Sequence, residues 1–195
     1  NSLTGMEFAS GIPGSVGGAL VMNAGAYGGE MKQVVQTVCV LEKNSENVYQ
    51  SKTYTNDDMC FSYRHSIAKE RQMVILSCTV KLAIGNSEEI KNTMDDLNSQ
   101  RREKQPLEFP SAGSTFKRPE GYFAGKLIED SGLKGFALND SGAQVSPKHA
   151  GFVVNNQGKA KASDVMELIS YIQDKVYEDS GVRLEPEVRL IGGKK

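Results

Sequence analysis

The sequence is poor in the residues that build metal sites, staple secreted folds or cross membranes. Its two histidines, His65 and His149, stand too far apart along the chain to suggest a metal site. Three cysteines, Cys39, Cys60 and Cys78, form no C-x-x-C and no Cys/His spacing, and their odd number fits reduced, buried thiols in a cytoplasmic protein. The formal net charge is -1, so no global basic field draws nucleic acid or an anionic membrane, and any anion binding must be local. No apolar stretch approaches the length of a membrane span, and no signal peptide is visible. With 38% hydrophobic and 24% charged residues over 195 positions, the chain reads as one globular domain or two small ones. It opens on Asn1 rather than methionine and runs straight into a glycine-rich motif, so a preceding N-terminal segment is expected.

That motif is Gly11-Ile-Pro-Gly-Ser-Val-Gly-Gly-Ala19, followed by Asn23-Ala-Gly-Ala-Tyr-Gly-Gly29. Such spans make tight turns and leave backbone amides free of side chains, able to hold a pyrophosphate or the edge of a flat ring. The spacing is neither G-x-G-x-x-G after a strand nor G-x-x-x-x-G-K-S/T, so the dinucleotide and P-loop readings fail. A short helix is predicted from Val16 to Met22. Val34, Val35, Thr37, Val38 and Val40 predict a strand over 33–41, with Val48 to Tyr54 returning antiparallel and a further strand from Met73 to Ile84.

Asn86 and Glu89 resemble a capping box ahead of a helix whose Ile90, Met94 and Leu97 share one face, and Pro106 halts it. Phe123 to Asp130 reads as a short helix stopped by Gly132, and 142–145 and 151–155 as two short strands. Ser163 is expected to cap a last helix that buries Val165, Leu168, Ile169, Ile172 and Val176, with Gly181 as the stop. Val182 to Ile191 reads as a terminal strand. The irregular order favours an α+β fold over a doubly wound sheet.

The candidate chemistry gathers around Ser111-Ala-Gly-Ser-Thr-Phe-Lys-Arg-Pro119, read as a loop with Ser114 at its centre. Gly113 lets a ligand come close, and Lys117 and Arg118 suit a phosphate or carboxylate. A serine alone is most often a turn residue, and a lysine such as Lys134 is most often solvated. Arg64 follows Tyr63, and an arginine over a ring is commonly a surface feature, although the ring would also hold it stiffly against a planar anion. Arg101 and Lys104 close the predicted helix and read either as a solvated end or as part of the Ser114 cleft.

Taken together, Ser10-Gly-Ile-Pro-Gly14, Asn23-Ala-Gly-Ala-Tyr-Gly28, Tyr63-Arg-His-Ser66, Ala112-Gly-Ser-Thr-Phe116, Gly142-Ala-Gln-Val-Ser146, Lys148-His-Ala-Gly151 and Leu184-Glu-Pro-Glu-Val-Arg189 resemble the UDP-N-acetylenolpyruvoylglucosamine reductases of bacterial peptidoglycan synthesis. The likeness runs through the whole chain in order. It points to the shorter subtype, because no aromatic-bearing insertion separates Ile84 from Ser114.

The resemblance implies a second FAD-binding subdomain over 1–102 with part of the flavin site. It further implies a substrate-binding α+β domain over 103–181 and a C-terminal strand over 182–195 carrying Glu187. It implies reduction of UDP-N-acetylglucosamine enolpyruvate to UDP-N-acetylmuramate, with NADPH reducing FAD, hydride leaving N5 of the flavin and the proton coming from Ser114. Arg64 then holds the substrate carboxylate, and Glu187, in its neutral form, donates a hydrogen bond to the enolate. Glu185 lies two residues away and only the resemblance selects between the two. Lys104, Arg118 and Lys134 match positions near the diphosphate and sugar, Arg118 standing where some members have asparagine.

Gly11, Ile12, Pro13, Gly14, Ser15, Gly17, Gly18, Asn23, Gly25, Tyr27, Gly28 and Arg101 are the implied FAD contacts, with no metal and neither nucleic acid nor membrane as partner. Because the family carries about half its flavin site in an N-terminal segment, the chain is expected to be inactive without that partner. The alternative is a UDP-sugar-binding fragment that performs no catalysis.

Overall fold

The computed structural model describes residues 1–192, and the chain divides into two compact units, 1–101 and 102–195. The first unit opens with β1 (Leu3–Thr4), helix α1 (Val16–Val21) and the short strands β2 (Gly25–Ala26) and β3 (Gly29–Glu30). There follow β4 (Val35–Lys43), β5 (Tyr49–Thr55), α2 (Ile67–Glu70), β6 (Val74–Val80) and β7 (Ala83–Ile84). Strand β4 is central in an antiparallel sheet of order β5-β4-β6. The β-branched run expected to form a strand does so, two residues later at each end, because Met31–Gln33 winds into a 3-10 turn first. Val35, Val38 and Val40 face a core with Phe8, Leu20, Met31, Tyr54, Met59 and Phe61.

Helix α3 (Ser87–Lys104) is capped by Asn86, whose Oδ1 accepts from the amides of Glu88 and Glu89 at 2.9 and 3.2 Å. Its expected apolar face is weak: Met94 is exposed, and Arg101 is its buried residue. The helix ends two residues before Pro106, as a ring without an N–H requires.

The second unit contains β8 (Ser111–Ser114), α4 (Ala124–Asp130), β9 (Ala143–Val145), β10 (Phe152–Asn155) and α5 (Ala162–Ser180), with the sheet ordered β8-β10-β9. Its core joins Phe116, Ile128, Val145 and Val153 to Leu168, Ile169, Ile172 and Val176 on one side of α5. That helix begins two residues earlier than a Ser163 cap would place it: Lys161 is the N-cap, and its amide donates to Asp164 Oδ2 at 2.8 Å. Gly181 ends it in the left-handed conformation that glycine adopts without steric cost.

Two expectations are corrected. Residues 111–114 form a strand, not a loop, because β10 offers them an antiparallel partner. The terminal strand over 182–191 reduces, among the described residues, to one bridge, Phe116 with Pro186, where Pro186 has no N–H to extend a ladder; of the C-terminal strand that the resemblance implies over 182–195, residues 193–195 lie outside the described residues. Residues 182–192 belong to the second unit. The expected buried thiols also divide: Cys39 and Cys78 are half-buried, but Cys60 is exposed in the turn that follows β5.

Candidate functional site

In the first unit the glycine-rich segment is shaped by left-handed backbone at Gly11, Gly14 and Gly28. Gly11 has no room for a side chain: a Cβ there would stand 2.4 Å from Asn98 Oδ1 and 3.3 Å from Arg101 Nε. Gly14 and Gly28 face open space, with no heavy atom of the described residues within 4 Å of such a Cβ. Asn98 and Arg101, three apart and so on one face of α3, hold the start of this loop. Asn98 Nδ2 donates to Ser10 Oγ at 2.8 Å, and an Arg101 terminal nitrogen donates to the Ser10 carbonyl at 3.3 Å. The Arg101 guanidinium lies 5.5 Å from the centroid of the Tyr27 ring. Arg101 Nε is buried without a hydrogen-bond partner among the described residues. An orphaned cationic donor is costly to bury, and an anionic ligand would relieve it.

Asn23 opens the second glycine segment. It is 2% exposed, and its side chain is committed within the unit. Nδ2 donates to Glu30 Oε2 at 3.0 Å and to the Ser62 carbonyl at 3.2 Å, and Oδ1 accepts from the Lys32 amide at 2.9 Å. Among the other implied flavin contacts, Ser15 caps α1 by accepting from the Gly18 amide at 3.1 Å, and Gly25 lies on β2, paired with Glu30. Ile12 is half-buried, Pro13 is exposed, and Gly17 packs toward Ile75.

Arg64 occupies the turn Ser62–His65, closed by reciprocal backbone bonds of 3.2 and 3.1 Å. Its φ is +55°, the left-handed region, which costs a residue with a Cβ about 1–2 kcal/mol. The guanidinium lies 5.0 Å from the Tyr63 ring centroid.

In the second unit, Ser114 is exposed at the end of β8, opposite Phe152. The β8–β10 register slips between Phe152 and Val154, with Gly113 at φ +88° in the extra length, a bulge of the kind that re-aims a side chain. The next residue, Thr115, is buried and tied three ways. Its amide donates to the Gly151 carbonyl at 2.8 Å, its hydroxyl accepts from the Val153 amide at 2.9 Å, and its carbonyl accepts from the Glu187 amide at 2.8 Å. Ser114 and Glu187, 73 positions apart in the sequence, are thus carried on adjoining segments. Glu185 takes another role: its carboxylate pairs with Lys117, and its side chain is 69% exposed. Glu187 is half-buried. The structure therefore separates two carboxylates that strand alternation could not.

The expected phosphate ligands are dispersed along the unit. Lys104 is exposed as the last residue of α3. Arg118 donates from Nε to the Tyr122 carbonyl at 3.2 Å and stacks 4.0 Å from the Phe123 centroid. Lys134 donates to Glu129 at 3.0 Å. His149 has a packing role in the same unit. It fills the space above Gly125 and Gly151, and its Nδ1 accepts from the Gly151 amide at 3.0 Å. Burial, chiefly, holds its imidazole below the usual histidine range, with Lys134 adding to the shift and Glu129 opposing it. The three-residue spacing from Asn98 to Arg101 is readable in the sequence.

A glycine-lined loop beside one sheet, and a helix-backed sheet presenting a serine beside a carboxyl-bearing segment, define a two-unit chain of the α+β class. Residues 105–191 match the profile of the UDP-N-acetylenolpyruvoylglucosamine reductase C-terminal domain. The chain is 56% identical over 194 residues to UDP-N-acetylenolpyruvoylglucosamine reductase of Caldanaerobacter subterraneus subsp. tengcongensis, covering 100% of this chain and 62% of that protein. It is 58% identical over 191 residues to that of Agathobacter rectalis, covering 98% and 59%. A crystal structure of UDP-N-acetylenolpyruvylglucosamine reductase from Thermus caldophilus superposes with a TM-score of 0.80 at 35% identity, covering 96% of this chain and 64% of that one. Along essentially all of its length the chain is similar to UDP-N-acetylenolpyruvoylglucosamine reductases. It spans about 60% of the length of the relatives it matches.

Proposed function

We propose that this chain carries the substrate-handling part of a flavin- and NADPH-dependent reductase that converts UDP-N-acetylglucosamine enolpyruvate to UDP-N-acetylmuramate in peptidoglycan precursor synthesis. The observation that carries the reading is the tether from the Thr115 carbonyl to the Glu187 amide, which sets Glu187 beside the bulged strand that exposes Ser114.

The residues fit a phosphate-bearing flavin. Gly14 and Gly28 leave open backbone, and Arg101 Nε is a buried donor in need of an acceptor. The loop from Gly11 to Gly18, Tyr27 and Arg101 would hold the cofactor through N–H groups and one guanidinium. FAD, when bound, supplies a hydride drawn from NADPH.

Everything else falls to the chain's own side chains. Arg64 holds the enolpyruvyl carboxylate with two parallel N–H donors, and its attraction grows as negative charge moves onto that group. Ser114 gives the proton of its hydroxyl to the α-carbon. A serine is a weak acid, so this works only because the acceptor carbon is far more basic. Glu187, on the segment beside Ser114, assists in placing charge or proton at the developing enolate. Lys104, Lys134 and Arg118 bind the diphosphate and sugar, and Lys134 and Arg118 exchange their present partners to do so.

The second reading, a UDP-sugar-binding unit without redox chemistry, is favoured by the share of its relatives that the chain covers. A visible spectrum of the purified chain separates the two. A flavin band bleached by NADPH and restored by the UDP-sugar supports the reductase, whereas a colourless chain that still binds the UDP-sugar supports the binding unit. A chain that binds neither contradicts both.

A further inference from the structure

Both peptide groups that flank the Arg64 turn are held by side chains from outside it. Lys69 Nζ donates to the Arg64 carbonyl at 2.9 Å. Asn23 Nδ2 donates to the Ser62 carbonyl at 3.2 Å, the same oxygen that closes the turn with the His65 amide. Asn23 is itself rigid, because Glu30 and the Lys32 amide take its remaining capacity and it is nearly inaccessible to solvent. Below the turn, the fully buried Ser66 donates to the Val21 carbonyl at 2.9 Å, and the Ile67 amide donates to the Met59 carbonyl at 2.9 Å.

A turn whose second central residue has positive φ normally takes glycine or asparagine there. Here that position holds an arginine, at φ +55°. Strain of this kind persists only where the surroundings over-determine the conformation, and these bonds do so. The reward lies in the root of the side chain: a fork that must meet a planar anion with two bonds needs its Cα and Cβ fixed in advance.

We propose that Lys69 and Asn23 are positioning residues that hold Arg64 in its left-handed turn, so that its guanidinium is pre-set for the substrate carboxylate. The assignment rests on the carboxylate-binding reading of Arg64. It gives Asn23 a task other than cofactor contact and gives a task to Lys69.

The test uses the full chain and two readouts. The first is the amide-to-α-proton NOE within Arg64, which is strong in left-handed backbone. It is expected to be strong in the native chain and in Lys69→Arg, and to fall to an averaged value in Lys69→Met. An unchanged NOE in Lys69→Met overturns the proposal. Should Lys69→Met fail to fold, Lys69→Gln, too short to reach the Arg64 carbonyl, is read the same way.

The second readout is calorimetric binding of UDP-N-acetylglucosamine enolpyruvate and of UDP-N-acetylglucosamine, which lacks the carboxylate. Lys69→Met is expected to weaken the first about tenfold and to leave the second within about twofold, with no added loss in an Arg64→Ala background. If Arg64→Ala weakens both ligands alike or neither, the carboxylate reading fails and the pre-setting proposal with it, even where the NOE shows the turn to be held. If Arg64→Ala is selective and Lys69→Met is silent, the positioning proposal alone fails.

Discussion

His149 packs its ring against two glycines, Gly125 and Gly151, and accepts the Gly151 amide on Nδ1, while the Gly151 carbonyl receives the amide of Thr115 beside Ser114. Protonating Nδ1 would break that acceptor bond. Because burial depresses the folded-state pKa, the unfolded chain takes up this proton first. The contribution of His149 is complete above its unfolded value near 6.5 and is lost as pH falls from there through the depressed folded value. Thermal melts between pH 7.5 and 5 should therefore show an acid-side loss in the native chain that is smaller in His149→Asn; equal losses would contradict this.

Ser114 provides a second prediction at the same scale. In the complete reductase, Ser114→Ala should leave flavin reduction by NADPH unchanged and slow substrate-dependent reoxidation by about 10²–10⁴-fold. Rapid mixing checks it, and normal reoxidation would remove the proton-donor role. At this scale the motifs name Arg64 and Ser114 as candidates, and the structure places the first in a tight turn and the second at the end of β8. The buried amide of Asn23, which serves Ser62, Glu30 and Lys32, was not legible. Hydrogen bonds to residues 39 positions away leave no local trace.

Among the elements, α5 shows how far pattern carries. Leu168, Ile169, Ile172 and Val176 form the buried stripe that 3.6-residue periodicity predicts, and Gly181 ends it. Ile172 is fully buried, so Ile172→Ala should cost about 2–5 kcal/mol in a urea titration of the chain; a loss below 1 kcal/mol would mean the site relaxes by collapse. Gly29→Ala should also destabilise, because a Cβ there would come 2.5 Å from the Phe8 ring within the core of the first unit. Differential scanning calorimetry reporting an unchanged midpoint would show that Phe8 moves aside. The 182–191 segment failed as a strand for a reason visible in hindsight. Pro186 sits where a ladder needs its donor, and the extended form is held by Lys117 N–H to Glu185, Glu187 N–H to Thr115 and Gln173 Nε2 to the Leu184 carbonyl. The bulge at Gly113 was not readable, since it is set by pairing with β10, some 40 positions on.

For the molecule as a whole, α+β class and the helix–strand order were legible because propensities and breakers agree along most of the chain. The division at 101/102 falls inside a continuous helix, with no composition shift to announce it, and only the charged run Arg101-Arg-Glu-Lys104 and Pro106 mark the neighbourhood. The units have separate cores, and the implied roles are shared out accordingly: Arg64 and Arg101 belong to the first, Ser114, Glu187, Lys104, Arg118 and Lys134 to the second. The central claim is that Lys104 and Lys134 of the second unit bind the UDP-sugar. Calorimetric titration of the chain with UDP-N-acetylglucosamine enolpyruvate, beside a Lys104→Ala/Lys134→Ala double variant, measures it directly. The account predicts a single saturable site in the native chain, weakened at least about tenfold in the double variant. No binding, or equal affinity in both, would contradict it.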